Sequence, residues 1–293
     1  MFEGFEQRQI ETSGATINLM TGGNGPPLLM LHGYPQTHLA WHRVAPLLAR
    51  DFTLVIPDLR GYGASRGPAP DPEHRHYAKR AMAEDMVALM AELGHHRFAL
   101  AGHDRGGRVG FRLCLDHPER VARFAALDIV PTLSVWEAMD ADRALGAYHW
   151  QFLAVPAPVP ERLIGGDPDF YITHLLDRWA GRPDALDPDA VRAYLAQFHD
   201  PAVIAATCAD YRAGASLDRV HDQADRDAGR KIACPVLVVW GRRYLTAKDA
   251  APLDSWGEWA EDAREIALDC GHFVAEEAPE ACAAALRDFF LDT

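Results

Sequence analysis

The chain has 293 residues, 48% of them hydrophobic and 24% charged, with a formal net charge of −13 at pH 7. That length suits one large domain, or a core with a substantial insertion. The acidic balance disfavours nucleic acid or an anionic membrane as a partner, so an anionic ligand has to be drawn by a local cluster of positive charge.

The N-terminal MFEGFEQRQIETSG is acidic and polar, unlike a secretory signal. No apolar run approaches the roughly 20 residues of a membrane span. Cys114, Cys208, Cys234, Cys270 and Cys282 form no CxxC pair. The expectation is a reduced, cytoplasmic protein whose cysteines are small core residues.

QRQIETSG and ATINLMTGG predict a hairpin, ended by Asn24-Gly25-Pro26-Pro27. PLLMLHG predicts a buried strand, WHRVAPLLAR a helix, and FTLVIPDLRGYG a strand with a glycine-rich turn. PDPEHRHY is a polar loop, and AKRAMAEDMVALMAELG has helical spacing with a glycine stop. RFALAGHD is a strand, GGRVGFRLCLDHPER a helix and VARFAALDI a strand. After residue 230 the alternation resumes with the strand CPVLVVWG, a helix around LDSWGEWA, the strand REIALDCGH and the helix PEACAAALRDFF. Short apolar strands alternating with helices indicate an α/β fold with a mostly parallel sheet covered on both faces.

Residues 131–230 differ, with helical stretches such as YHWQFL and FYITHLLDRWAG between prolines and glycines. They read as a helical cap inserted between two strands of a core made of residues 1–130 and 231–293. Such an insertion covers the strands' carboxyl ends, where open α/β sheets bind ligands.

Gly102-His103-Asp104-Arg105-Gly106 has the form of a nucleophile elbow between a strand and a helix, with Asp where Ser is usual. A carboxylate there can attack an sp³ carbon and form an alkyl ester that water then cleaves. In isolation an Asp helix cap is the commoner explanation; the flanking glycines and the partners below favour the nucleophile. Arg105 and Arg108 lie at i and i+3 on the first helical turn, where exposed cations cost about 0.3–1 kcal/mol. A carboxylate ligand held by both explains them. Ligand contact outranks ion pairing for Arg105, and the two are even for Arg108. Arg112, with Asp116 four residues on, reads as a surface ion pair.

His272 follows the last strand and suits the role of general base. Asp128 and Asp249 both suit the acid that orients it; Asp128, flanked by apolar residues, is favoured over Asp249 in a polar loop. His32-Gly33-Tyr34-Pro35 follows an early strand, so the N–H groups of Tyr34 and Arg105 can form an oxyanion hole. His32 itself reads as structural. GYGASRG misses dinucleotide-binding spacing by one residue and reads as a turn.

Together LHGYPQTH, DLRGYG, GHDRGGR, LDIVPT, YHWQFLAVPAP, GGDPDFY, DYRAGA and GHF resemble the haloacetate (fluoroacetate) dehalogenases of the α/β-hydrolase fold over nearly the whole chain. The resemblance implies Asp104 as nucleophile, Asp128 and His272 as the water-activating pair, and Arg105 and Arg108 as carboxylate binders. It implies His149, Trp150 and Tyr211 as donors to the departing halide; without it, core packing explains those three. It further implies a homodimer, with no metal or organic cofactor, that turns haloacid and water into glycolate and halide ion. RRYLTAK acquires no role. The rivals are an epoxide hydrolase, whose relatives usually have Trp after the nucleophile, and a non-catalytic small-anion-binding protein on the same fold.

Overall fold

The computed structural model describes residues 1–182, 184–244 and 252–292. Its strands are β1 (Glu6–Glu11), β2 (Thr16–Gly23), β3 (Pro27–Leu31), β4 (Thr53–Pro57), β5 (Phe98–His103), β6 (Val121–Leu127), β7 (Val236–Gly241) and β8 (Ala263–Leu268). They form one 8-stranded sheet in the order β1-β2-β4-β3-β5-β6-β7-β8. β1 and β2 pair antiparallel, as do β2 and β4. Every later neighbour is parallel. The central strands are buried on both faces, as their continuous apolar runs require.

The core helices are α1 (Ala45–Leu48), α2 (Lys79–Glu92), α3 (Arg105–Asp116), α12 (Pro252–Gly257), α13 (Val274–Glu277) and α14 (Pro279–Leu291). The helix expected over WHRVAPLLAR is confined to the four residues of α1, and the 3₁₀ turn at His38–Trp41 before it shares only Trp41 with that segment. Pro46 is the reason: without an N–H it fits only the first turn of a helix, so a new helix starts there.

Between β6 and β7 the described residues contain helices and no strand: α4 (Thr132–Glu137), α5 (Ala141–Gly146), α6 (His149–Ala154), α7 (Val159–Gly166), α8 (Pro168–Trp179), α9 (Pro188–Gln197), α10 (Pro201–Ala215) and α11 (Leu217–Asp227). α8, α9 and α10 each start on an Asp-Pro pair. Asp167, Asp187 and Asp200 accept first-turn N–H groups, and the proline adds a preset φ. No described helix is long and apolar enough to cross a membrane.

Two contacts bring β3, β5 and α3 together. A Cβ on Gly102 would lie 2.6 Å from Gly106 O, and one on Gly106 would lie 2.4 Å from His32 O. Both neighbours are backbone and cannot swing away. Gly106→Ala is therefore expected to destabilise the fold by about 1–3 kcal/mol, read as a lower urea midpoint at unchanged slope.

Candidate active site

Asp104 lies between β5 and α3 at φ 46° and ψ −115°. Such a backbone costs a non-glycine residue about 1–3 kcal/mol and persists only where the surroundings enforce it. The enforcement comes from β3: a Cβ on Gly33 would sit 2.4 Å from Asp104 Cβ, and Tyr34 N–H donates to Asp104 Oδ1 at 2.9 Å. Arg105 supplies the first N–H of α3, a helix start that favours negative charge. Burial pushes the Asp104 carboxyl up, but His272, Arg105, Arg108 and His103 outweigh it and hold it below the ordinary carboxylate value. It is therefore ionised at neutral pH.

Asp128 ends β6, also at positive φ (51°). Its N–H donates to Val239 O at 2.7 Å, and its Oδ1 accepts from Gly241 N at 3.0 Å. That leaves Oδ2 aimed at His272 Nδ1, 2.6 Å away. Asp128 thus fixes the imidazole's orientation and leaves Nε2 to carry the basic lone pair. Asp249, the other acid weighed from sequence, lies outside the described residues. Tyr244, three residues past β7 in the RRYLTAK stretch, lies over His272 with ring centroids 4.4 Å apart. It lines the same cavity as Asp104, and no sequence signal marked it beyond its place at the carboxyl edge of the sheet.

The arginines diverge. Arg105 is fully buried; its Nε donates to Asp210 Oδ2 at 2.9 Å and its Nη2 to Asp210 Oδ1 at 2.7 Å. The ion pair ranked second from sequence is therefore present, and Nη1 has no hydrogen-bond partner among the described residues. Arg108 has neutral partners, Val130 O at 2.9 Å and Thr132 Oγ1 at 3.1 Å. It lines the cavity and has a buried Nε without a partner among the described residues. Burial and the neighbouring Arg105 lower it to about 10, which leaves it cationic at neutral pH. Arg112 is not at the surface: it is buried against Asp222 (2.5 Å) and Asp225, with Asp116 at 3.3 Å. The inserted α11, invisible to local spacing, supplies those two acids.

His149, Trp150 and Tyr211 converge above Asp104. The Tyr211 ring lies 5.8 Å from His149 and 6.2 Å from Trp150, centroid to centroid. Each arginine rests on one of these rings: Arg105 is 4.2 Å from the Tyr211 centroid and Arg108 4.5 Å from that of Trp150. Burial lowers His149 to about 3, so it is a neutral donor. Its Nδ1 is buried without a hydrogen-bond partner among the described residues. The cavity that His149 and Trp150 share with Asp104, Arg108 and His272 has a volume of about 650 Å³, and Tyr211 packs behind these two rings. His32 is structural as expected: it accepts Leu59 N–H at 2.9 Å on Nε2, and burial lowers it to about 4.

Asp210 also pairs with Lys79 and accepts from Tyr62 OH at 2.7 Å. Asp210→Asn leaves buried Arg105 without its carboxylate and Lys79 with Asp218 alone. We expect a loss of about 3–5 kcal/mol in denaturant unfolding, because an uncompensated buried charge keeps its desolvation cost. His103, buried and lowered to about 4 by burial first and by His272 second, gains its proton only on unfolding between about pH 4 and its unfolded value of about 6.5. Its depressed folded pKa makes stability rise with pH across that window. His103→Gln should make that slope shallower by about 1.4 kcal/mol per pH unit, one proton's worth, in urea titrations across the window.

The α/β hydrolase fold family model matches residues 26–279. The chain is 45% identical to a fluoroacetate dehalogenase of Burkholderia sp., over 100% of its own length and 96% of that protein's. It is 32% identical to a soluble epoxide hydrolase of Corynebacterium sp. (strain C12), over 93% of this chain and 92% of that one. A crystal structure of an alpha/beta-hydrolase candidate from Nostoc sp. PCC 7120 superposes with a TM-score of 0.98 at 48% identity, covering 100% of both chains. With an Asp on the elbow, an Asp–His pair beside it and a near-full-length match to a dehalogenase, the chain belongs to the haloacetate dehalogenase family of the α/β-hydrolase superfamily.

Proposed function

We propose that this hydrolase cleaves the carbon–halogen bond of haloacetates. One observation carries the choice of substrate class: two cations, Arg105 and Arg108, stand beside the ionised Asp104, each laid over an aromatic donor of the inserted helices. An epoxide or a haloalkane carries no charge for such a pair to bind. Full-length similarity to a fluoroacetate dehalogenase supports the same reading.

In the proposed first step, Arg108 and the open Nη1 of Arg105 bind the substrate carboxylate and place C2 before Asp104. Tyr34 N–H holds Oδ1, and the other carboxylate oxygen bonds to C2 from the side opposite the halogen. The carbon–halogen bond breaks, and the halide leaves toward the N–H and O–H groups of His149, Trp150 and Tyr211. Fluoride in particular needs several converging donors, because it leaves poorly and is strongly hydrated. In the second step His272 Nε2 takes a proton from water, and the water oxygen attacks the Asp104 ester carbonyl. The Tyr34 and Arg105 N–H groups receive the oxyanion. Collapse breaks the acyl C–O bond, the proton passes from His272 to the departing alkoxide to give glycolate, and the Asp104 carboxylic acid loses the second water proton to solvent to regenerate the carboxylate. Asp128 stabilises the imidazolium in between.

Purified chain incubated with fluoroacetate and with chloroacetate is expected to release halide and glycolate in equal amounts. Asp104→Asn should lower the rate by at least about 10³-fold, the scale seen when a nucleophile is removed. Ion chromatography checks both. Halide release that survives the substitution would sink the mechanism, and activity confined to epoxides would sink the substrate class.

A further inference from the structure

The loop that carries His272 is held by a carboxylate to which neither the sequence motifs nor the mechanism above gave a role. Glu277, at the end of α13, is 5% exposed. Its Oε2 accepts Gly271 N–H at 2.9 Å and Gly181 N–H at 2.8 Å. Its Oε1 accepts Phe273 N–H at 3.0 Å. The two residues that flank His272 thus hang on one side chain, and the third donor comes from the inserted helices, just past α8. His272 N–H itself donates to Trp179 O at 2.9 Å, and His272 O meets His103 Nε2 at 2.7 Å.

The backbone packing here leaves no room for side chains. A Cβ on Gly181 would lie 2.5 Å from Gly271 N, one on Gly271 would lie 2.1 Å from Gly181 N, and one on Gly241 would lie 2.0 Å from Gly271 O. Three glycine backbones meet around the base, and Glu277 gathers the N–H groups this contact would otherwise strand.

We propose that Glu277 is a positioning residue for the second half of the reaction: it fixes the His272 loop against the Trp179–Gly181 segment so that Nε2 meets the hydrolytic water. The role rests on the dehalogenase reading and is specific to ester hydrolysis. Asp104, Tyr34, Arg105 and Arg108, which make the ester, are held by other contacts. A Gln at 277 keeps the size but puts an NH₂ group where one oxygen met backbone N–H donors, and the loop must shift. A misplacement of about 1 Å can cost on the order of 10²-fold in a positioned step.

The test is rapid-quench kinetics with chloroacetate, with intact-protein mass spectrometry on the quenched samples. In Glu277→Gln we expect a burst of chloride near one per active site, followed by turnover slowed about tenfold or more. The protein should gain the mass of one carboxymethyl group on Asp104 during turnover. Gly181→Ala, which pushes on the same loop from the inserted helices, should trap the same ester, and it carries the test if Glu277→Gln does not fold. Equal slowing of burst and turnover with no trapped ester would overturn the role of Glu277. A wild-type chain that releases no halide from any haloacetate would instead overturn the dehalogenase reading beneath it.

Discussion

An ionised carboxylate with its surroundings stripped of water must be given donors and cations by the protein, and the site is organised around that demand. Asp104 sits at a strained backbone position beneath the inserted helices. Left to burial alone it would take up a proton and lose its nucleophilicity. The charges of His272, Arg105 and Arg108 prevent that, with Tyr34 N–H on one oxygen and the start of α3 beside it. These cations occupy the end of a helix where the macrodipole opposes them. Their placement follows only from an anion close by, and the chain's net charge of −13 supplies no such positive field at long range.

The same demand ties the inserted helices to the sheet. Arg105 cannot be buried without Asp210 of α10, and Asp210 in turn gathers Lys79 of α2 and Tyr62 after β4. Arg105 and Arg108 lie on Tyr211 and Trp150, contacts that gain strength once desolvated. Trp179 at the end of α8 has its ring 4.5 Å from His149 and 5.5 Å from His272. Half the polar wall therefore exists only when helices α6, α8 and α10 are seated. The charge state of Asp104 depends on His272 and on the cations of α3, and Arg105 of α3 depends on Asp210 of α10.

The sequence revealed those parts of the site fixed by local chain geometry. A strand, a glycine-flanked Asp and a helix define the elbow. An Asp closing the apolar run AALDI and a His after the last strand complete a set that meets because parallel strands end on one edge. The partners set by long-range contact were not legible. Asp210 lies 105 residues from Arg105, and Arg112 looked superficial because Asp222 and Asp225 come from a distant helix. Tyr244 carries no spacing signal, and its ring reaches His272 only because β7 ends beside β6. Pro46 opens a new helix, so only Ala45–Leu48 of WHRVAPLLAR is helical, which the segment's apolar periodicity does not show. Glu277 stands in plain view in GHFVAEEAPE, yet its meaning depends on three backbone N–H groups that only the fold assembles.

The proposed substrate poses one further problem, since its carboxylate and its leaving halide are both anions and must not exchange places. On the proposed reading the site offers two types of donor, charged and neutral. Cationic donors lie along α3, where Arg108 keeps its charge at neutral pH. The inserted helices offer an imidazole, an indole and a phenol, the last two in contact with those arginines, and burial lowers the imidazole of His149 to about 3, so it is neutral at neutral pH. A protonated His149 would compete with the arginines for the carboxylate and invert the substrate. A neutral one binds weakly until charge develops on the halogen, so its interaction grows toward the transition state rather than the ground state. On the proposed reading, burial of His149 is a condition for correct orientation, and the aromatic packing around it then serves specificity as well as the fold.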